Sequence, residues 1–106
     1  MVSRFDVYLI NLDESTSKDP KNTRPAVVVS PDEMNRNIDS VIIAPLATTN
    51  SYYPTRVPIE FLNARRHVIL DQIRSVDRSR LVKKIGTVEL ASQEQIIGRL
   101  AELFAM

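Results

Sequence analysis

The sequence predicts a mainly β protein, with a small, strongly curved antiparallel sheet or barrel that is covered by one C-terminal helix. Most apolar runs are short and rich in β-branched residues, which is typical of strands. Only the final segment repeats its apolar residues at helical spacing. The 106 residues suffice for one modest core without disulfides, so we predict a single domain over residues 1–106.

The predicted strands differ in how they should be buried. The first alternates apolar and polar side chains, whereas the second and third are continuously apolar, as in strands covered on both faces. Pro58 marks the fourth as an edge strand or a bulged one, because proline cannot donate a ladder hydrogen bond. In chain order, the predicted strands cover residues 4–12, 25–30, 40–46, 55–61, 67–70 and 82–89.

Helical structure is predicted mainly at the C-terminus, in "SQEQIIGRLAELFA" (92–105). Ser92 and Gln95 have the spacing of a capping box, which predicts that the helix begins there. Its predicted apolar face consists of Ile96, Leu100, Leu103 and Phe104. Single helical turns are predicted at 32–36 and 77–81, and the longest irregular segment is the loop 13–22.

Composition excludes several classes of chemistry. The chain has no cysteine, so disulfides, thiolate metal sites and a cysteine nucleophile are excluded. Its one histidine, His67, leads a predicted strand, and we assign it a structural role. Two glycines cannot form a phosphate-binding loop, and the acidic residues lack metal-site spacing, so we predict no metal or other cofactor. Without a membrane-length apolar run or a signal-peptide pattern, the predicted location is the cytoplasm and no membrane partner is expected.

Positive charge is concentrated in one part of the chain although the net charge is only +1. Residues 65–84 hold half of the fourteen basic residues. On a common face they would form an electrostatic footprint for phosphate groups, whereas around short turns they would be ordinary solvated charges. The seven are Arg65, Arg66, Arg74, Arg78, Arg80, Lys83 and Lys84.

Polar residues follow three predicted strands at the points where a ligand site would form. The stretch "IIAPLATTNSYYPTRV" (42–57) begins as a buried strand and continues with hydroxyls, an amide and two tyrosines, which suit a single-stranded nucleic acid. Arg24 precedes the second strand, where its guanidinium could bind a phosphate through two hydrogen bonds. Asp71 and Gln72 follow the fifth strand, so these strand ends could converge at one edge of the sheet.

Several segments, in order and spacing, resemble the MazF/PemK family, the toxins of bacterial toxin–antitoxin pairs. The resemblance implies an SH3-like or CcdB-like barrel with a terminal helix, usually as a homodimer. It implies a metal-independent endoribonuclease that cuts single-stranded RNA, often messenger RNA, and an antitoxin whose flexible acidic segment lies over the RNA groove. The segments are "DVYLINLD" (6–13), "TRPAVVVSPDEMN" (23–35), "VIIAPL" (41–46), "YPTRVPIEF" (53–61) and "VILDQIRSVDRSRLVKKIGTVE" (68–89).

The resemblance also implies roles for particular residues. In the family, the 2′-hydroxyl of the RNA attacks the adjacent phosphate and leaves a 2′,3′-cyclic phosphate and a 5′-hydroxyl. Arg24 matches the "RP" arginine, which would stabilise the transition-state phosphate or act as an acid. Asp71 matches the carboxylate of the "DQ" pair, which would contact RNA or take part in proton transfer. The expected RNA-binding residues are Asp19, Thr49, Asn50, Tyr52, Tyr53, Gln72 and Arg74.

Two positions depart from the family pattern. The family usually has threonine or serine two residues after the strand proline, where its hydroxyl holds the scissile phosphate; here Pro45 is followed at that distance by Ala47. Thr48 is the nearest hydroxyl, but successive strand residues point to opposite faces. Either the backbone bends so that Thr48 serves, or activity is weakened or lost. In the first loop, Asp19 stands where the family often has glutamate.

Two alternative functions follow from these observations. One is a CcdB-type toxin, which shares the barrel, binds DNA gyrase and lacks the "TRP…DQIR" set present here. The other is a catalytically disabled homologue that binds RNA or the antitoxin without turnover, which Ala47 would explain.

Overall fold

The computed structural model describes residues 1–11, 23–48 and 53–105, and its architecture confirms the predicted fold class. The elements are β1 (Asp6–Asn11), β2 (Thr23–Val28), α1 (Asp32–Asn37), β3 (Ser40–Ala47), β4 (Arg56–Phe61), β5 (Ala64–Ile69), β6 (Arg74–Asp77), β7 (Leu81–Thr87) and α2 (Leu90–Phe104). Single 3-10 turns cover Leu70–Gln72 and Arg78–Arg80. The predicted loop 13–22 lies outside the described residues.

The described strands form one curled antiparallel sheet in the order β4-β5-β3-β2-β1-β7, with β6 paired to β3. The strand β3 exchanges partners along one of its edges: residues 40–43 pair with β6, and Leu46 and Ala47 pair with β5. The 3-10 turn Leu70–Gln72 carries the chain from β5 to β6. This exchange bends the sheet where β3 ends. The strand β4 lies at the edge of the sheet, as the proline at position 58 predicted.

Both faces of the central strands are buried, as their continuous apolar sequence predicted. On β2, Val27 belongs to a large core that also contains Ile96 of α2, while Ala26 and Val28 belong to a smaller core on the opposite face. On β3, Ile43 and Ala44 are both fully buried but face opposite cores. The smaller core occupies only part of its face, which leaves the rest of that face open beside the end of β3.

Three elements differ from the sequence predictions. The strand β5 begins at Ala64 rather than at 67, because a two-residue turn at Leu62 and Asn63, both with positive φ, reverses the chain early. The strand β6 was not predicted, since Val76 is its only buried residue. Helix α2 begins at Leu90, so Ser92 is no N-cap; its hydroxyl instead donates to the Glu89 carboxylate at 3.1 Å.

One residue of the predicted basic footprint has a structural role. The Arg78 guanidinium donates to the backbone carbonyls of Asn35 and Ile38, at the C-terminal end of α1. These carbonyls lack partners within the helix, and a charged donor satisfies them well. Arg78 therefore holds α1 in place, and its guanidinium is engaged by the backbone rather than free for a phosphate.

A close contact joins the two edge strands of the sheet. The aromatic ring of Phe61 on β4 packs against Gly86 on β7, where a Cβ would lie 2.7 Å from the ring atom Cζ. Because β4 and β7 share no ladder in the described sheet, this contact closes the curl through packing. Any side chain at position 86 would therefore displace the ring.

We expect Gly86→Ala to lower the free energy of unfolding by about 1–3 kcal/mol, the usual cost of overpacking. The same substitution in a Phe61→Leu background should cost less, because the ring that the new methyl group meets is gone. Urea unfolding of the four proteins of this cycle measures the coupling. Equal costs in both backgrounds would contradict closure through this contact.

Candidate active site

A cavity of about 430 Å³ opens on the sheet face beside the end of β3. Two arginines and one amide border an otherwise apolar floor. The described residues that line it are Arg24, Pro25, Pro45, Leu46, Ala47, Gln72, Ile73 and Arg74.

Strand alternation explains why these side chains meet. Arg24 is the second residue of β2, not a residue before the strand, and it alternates with Ala26 and Val28 of the smaller core. On β3, Ala47 continues the same face, and on β6, Arg74 lies opposite Ile43 in the ladder. The smaller core thus ends in this polar cavity. The guanidinium of Arg24 is exposed and donates to its neighbouring carbonyl, Thr23 O, at 2.9 Å.

Asp71 is adjacent in sequence to Gln72 but is held by a different set of residues. Its carboxylate accepts a hydrogen bond from Thr55 Oγ1 at 3.0 Å and pairs with Arg56 Nε at 3.5 Å. Burial acts to raise the pKa of Asp71, but the hydrogen bonds from Thr55 and Arg56 outweigh it and lower the pKa below its ordinary value. Asp71 is therefore ionised at neutral pH and is a weak proton acceptor.

An aromatic ring extends this cluster. The Arg56 guanidinium lies 5.7 Å from the ring centroid of Tyr53, whose side chain is 62% exposed. A cation over one face of the ring orients it and leaves other surfaces free for stacking. Tyr53, Arg56 and Asp71 thus form one cluster next to the cavity.

The structure brings some of the predicted site residues together and separates others. Arg24, Gln72, Arg74 and Ala47 meet in the cavity. Thr48 is exposed, follows the end of β3 and is not among the described lining residues, so the alanine stands where the resemblance places a hydroxyl. The remaining predicted positions lie outside the described residues: Asp19, Thr49, Asn50 and Tyr52.

The sequence places Thr55 and Arg56 in the polar stretch 42–57 but does not connect either residue with Asp71. Thr55 directly precedes the edge strand β4, and Arg56 is its first residue. Both reach Asp71 because Arg56 lies opposite Ile69 in the β4–β5 ladder. The spacing of residues gives no signal for such a contact. Only the hairpin register between residues 56 and 69 would have indicated it.

Within the described ranges, no group of three or more histidine, cysteine, aspartate or glutamate side chains could hold a metal ion. The same part of the chain contains no helix long and apolar enough to cross a membrane.

Comparisons with known proteins agree with the fold. Residues 3–104 match the family described as PemK-like, MazF-like toxin of type II toxin–antitoxin system, and the chain belongs to this family. An endoribonuclease from a mycobacterial species, solved with its cognate antitoxin, is 25% identical with a TM-score of 0.81, over 96% of this chain and 93% of that one. A MazE–MazF complex from Deinococcus radiodurans has a TM-score of 0.80 at 24% identity, over 99% and 96% of the chains.

Proposed function

We propose that this protein is the toxin of a toxin–antitoxin pair and cleaves single-stranded RNA in the cytoplasm without a metal ion. The observation that carries the proposal is the convergence of Arg24 and Arg74, from separate strands, on one cavity beside Gln72. Two guanidinium groups at the rim of a cavity suit the phosphates of a polynucleotide. The amide adds the hydrogen-bonding capacity that reading a base edge requires.

The proposed reaction is transesterification by the RNA itself. The 2′-oxygen attacks the neighbouring phosphorus, the bond to the 5′-oxygen breaks, and a 2′,3′-cyclic phosphate and a 5′-hydroxyl result. Negative charge accumulates on the phosphorane oxygens, and a guanidinium placed there stabilises the transition state more than the ground state. We assign this task to Arg24, which stays protonated and so does not serve as an acid.

Asp71 is assigned a positioning task. It is ionised, and it fixes Arg56, which in turn lies over Tyr53. Tyr53 is exposed beside the cavity and offers a ring for stacking a base, a contact worth about 1–3 kcal/mol by alanine substitution. The unpaired nucleotides next to the scissile phosphate would therefore lie along Tyr53.

The antitoxin is expected to use the same surface. A flexible acidic segment matches the charge of Arg24 and Arg74, and carboxylates would occupy the places of RNA phosphates. The membership of the family further supports a homodimer as the working form.

A second function, RNA or antitoxin binding without turnover, is supported by one observation. Ala47 lines the cavity, and Thr48 is not among the described lining residues, so no described hydroxyl is available there. Removing one oxyanion donor typically lowers kcat by about 10²–10³-fold. We therefore expect slow cleavage by this protein, and an inactive binding homologue is the limiting case.

The test is a cleavage assay on a long single-stranded RNA in the presence of a chelator, comparing the wild type with Ala47→Thr. We expect the wild type to cut with 5′-hydroxyl ends and Ala47→Thr to cut at least about tenfold faster, because its hydroxyl supplies the missing donor. The matched control is Ala47→Val, which adds the same bulk without the hydroxyl and should not gain activity.

Each other outcome has a distinct meaning. Cleavage by the threonine variant alone would identify the wild type as the disabled homologue. If neither protein cuts RNA while both still arrest growth, the gyrase-binding function of the CcdB type replaces the ribonuclease.

A further inference from the structure

We propose that His67 is the group that accepts the proton from the attacking 2′-hydroxyl of the RNA. The inference rests on the proposed function, because it assigns a task within that reaction. It also revises the structural role that the sequence suggested for this histidine.

The cavity as described contains no proton acceptor. Arg24 and Arg74 are permanent cations, and the amide of Gln72 does not ionise. Ala47 has no functional group, and the Asp71 carboxylate is bound to Thr55 and Arg56 with a lowered pKa. Attack by a 2′-hydroxyl requires a base within hydrogen-bond reach of it. Among the described residues, a base is therefore to be sought next to this lining.

The sheet register places His67 there. His67 lies directly opposite Ala47 in the ladder between β3 and β5. Side chains of directly opposite residues lie on the same face, with Cβ atoms about 4.5–5.5 Å apart. The neighbouring pair, Leu46 and Val68, faces the large core instead. His67 therefore stands on the cavity face next to Ala47, which lines the cavity.

Arg24, Ala47 and His67 then occupy three adjacent strands, β2, β3 and β5. Two strand spacings separate the outer two backbones by about 10 Å. The small side chain of Ala47 leaves the space between a guanidinium and an imidazole open. A phosphodiester over Ala47 can contact a cation on one side and a base on the other. Ala47 thus lacks the hydroxyl that the family usually has at this position, but its small side chain leaves the imidazole access to the phosphate.

The surroundings of the His67 imidazole do not explain it as a structural residue. His67 is half-buried, and its Nδ1 is buried without a hydrogen-bond partner in the described part of the chain. A structural histidine in a sheet normally has partners for its buried nitrogen, so this atom calls for another explanation. Because Nδ1 is buried, it is not the atom that meets the RNA; we assign proton acceptance to Nε2, in the tautomer with the hydrogen on Nδ1.

The proton transfers balance as follows. The unprotonated nitrogen of His67 takes the 2′-hydroxyl proton as the 2′-oxygen bonds to phosphorus and the bond to the 5′-oxygen breaks. The departing 5′-oxygen takes a proton from water in the open cavity. The imidazolium then returns its proton to the hydroxide that remains, so the enzyme is regenerated.

Charged groups lie on the face of the sheet that carries His67, but its direct neighbours are not charged. Its ladder neighbours, Ala47 on β3 and Pro58 on β4, are uncharged. The charged residues on the same face of the sheet are Arg24, Arg56, Glu60, Arg65 and Arg74.

The experiment measures single-turnover cleavage of a defined RNA from pH 5 to 9 for the wild type, His67→Gln and His67→Ala. The wild-type rate should rise with pH, because a general base acts only in its unprotonated form. His67→Gln should be at least about 100-fold slower at neutral pH and should lack this dependence. Added imidazole should restore part of the activity of His67→Ala but not of His67→Gln, whose side chain fills the space.

Binding and folding controls separate this task from a structural one. An RNA with a 2′-deoxy sugar at the cleavage position should bind the wild type and His67→Gln within about threefold, and both proteins should unfold at similar urea concentrations. A rate of His67→Gln within about threefold of the wild type, with the same pH dependence, would overturn the inference while the ribonuclease assignment stands. Loss of the pH dependence in Asp19→Asn but not in His67→Gln would place the base in the first loop instead. If neither the wild type nor Ala47→Thr cuts RNA, the proposed function itself fails, and the role of His67 fails with it.

Discussion

Replacing Arg24 by alanine should reduce RNA cleavage by about 10²–10³-fold, the loss expected for one transition-state donor. The guanidinium stands at the rim of the cavity and has no charged partner among the contacts described for it. Its charge is thus available to the phosphate. Arg24→Lys should recover only part of the rate, because an ammonium group keeps the charge but cannot form two parallel hydrogen bonds.

The measurement is the single-turnover rate, with the protein in excess of the RNA and above the dissociation constant of the complex. Under these conditions the rate reports the chemical step and not binding. Arg36→Ala is the matched control, since Arg36 is an exposed arginine on α1 away from the cavity. Arg24 is exposed, so urea unfolding of Arg24→Ala should match the wild type. A rate for Arg24→Ala within tenfold of the wild type would show that another cation carries the phosphate charge.

The second large effect concerns the attachment of α2 to the sheet. Ile96 is fully buried in the large core, whereas its neighbour Ile97 is 44% exposed. Truncating a buried isoleucine to alanine removes transferred apolar surface and leaves a cavity, which together cost about 2–5 kcal/mol. Ile96→Ala should therefore lower the free energy of unfolding by this amount and loosen the helix.

Ile97→Ala is the control, because it removes the same atoms and changes helix propensity equally one position away. We expect it to change stability by less than about 0.5 kcal/mol, as surface substitutions usually do. Urea unfolding followed by circular dichroism measures both. Equal losses would contradict the burial of Ile96 as the cause, and would mean that Ile97 is covered by another chain in solution.

The residues of the candidate site could be identified from sequence more readily than their arrangement. Arg24, Gln72 and Arg74 stand in recognisable segments, and all three line the cavity. Asp71 stands in the same segment, yet its carboxylate is bound to Thr55 and Arg56. Asp71 thus belongs to the neighbouring cluster, whereas Gln72, the next residue, lines the cavity. The 3-10 turn Leu70–Gln72 sets these two directions.

Local pattern by itself determined the mainly β class, most strands and the terminal helix, because runs of apolar side chains report burial directly. It could not predict β6, whose single buried residue, Val76, forms no pattern, although β6 is what brings Arg74 to the cavity. Nor could it place His67 opposite Ala47, twenty residues away. Which side chains meet across a sheet depends on register, and register is set by turn geometry and by pairing between distant segments. Only the tertiary structure supplies that information.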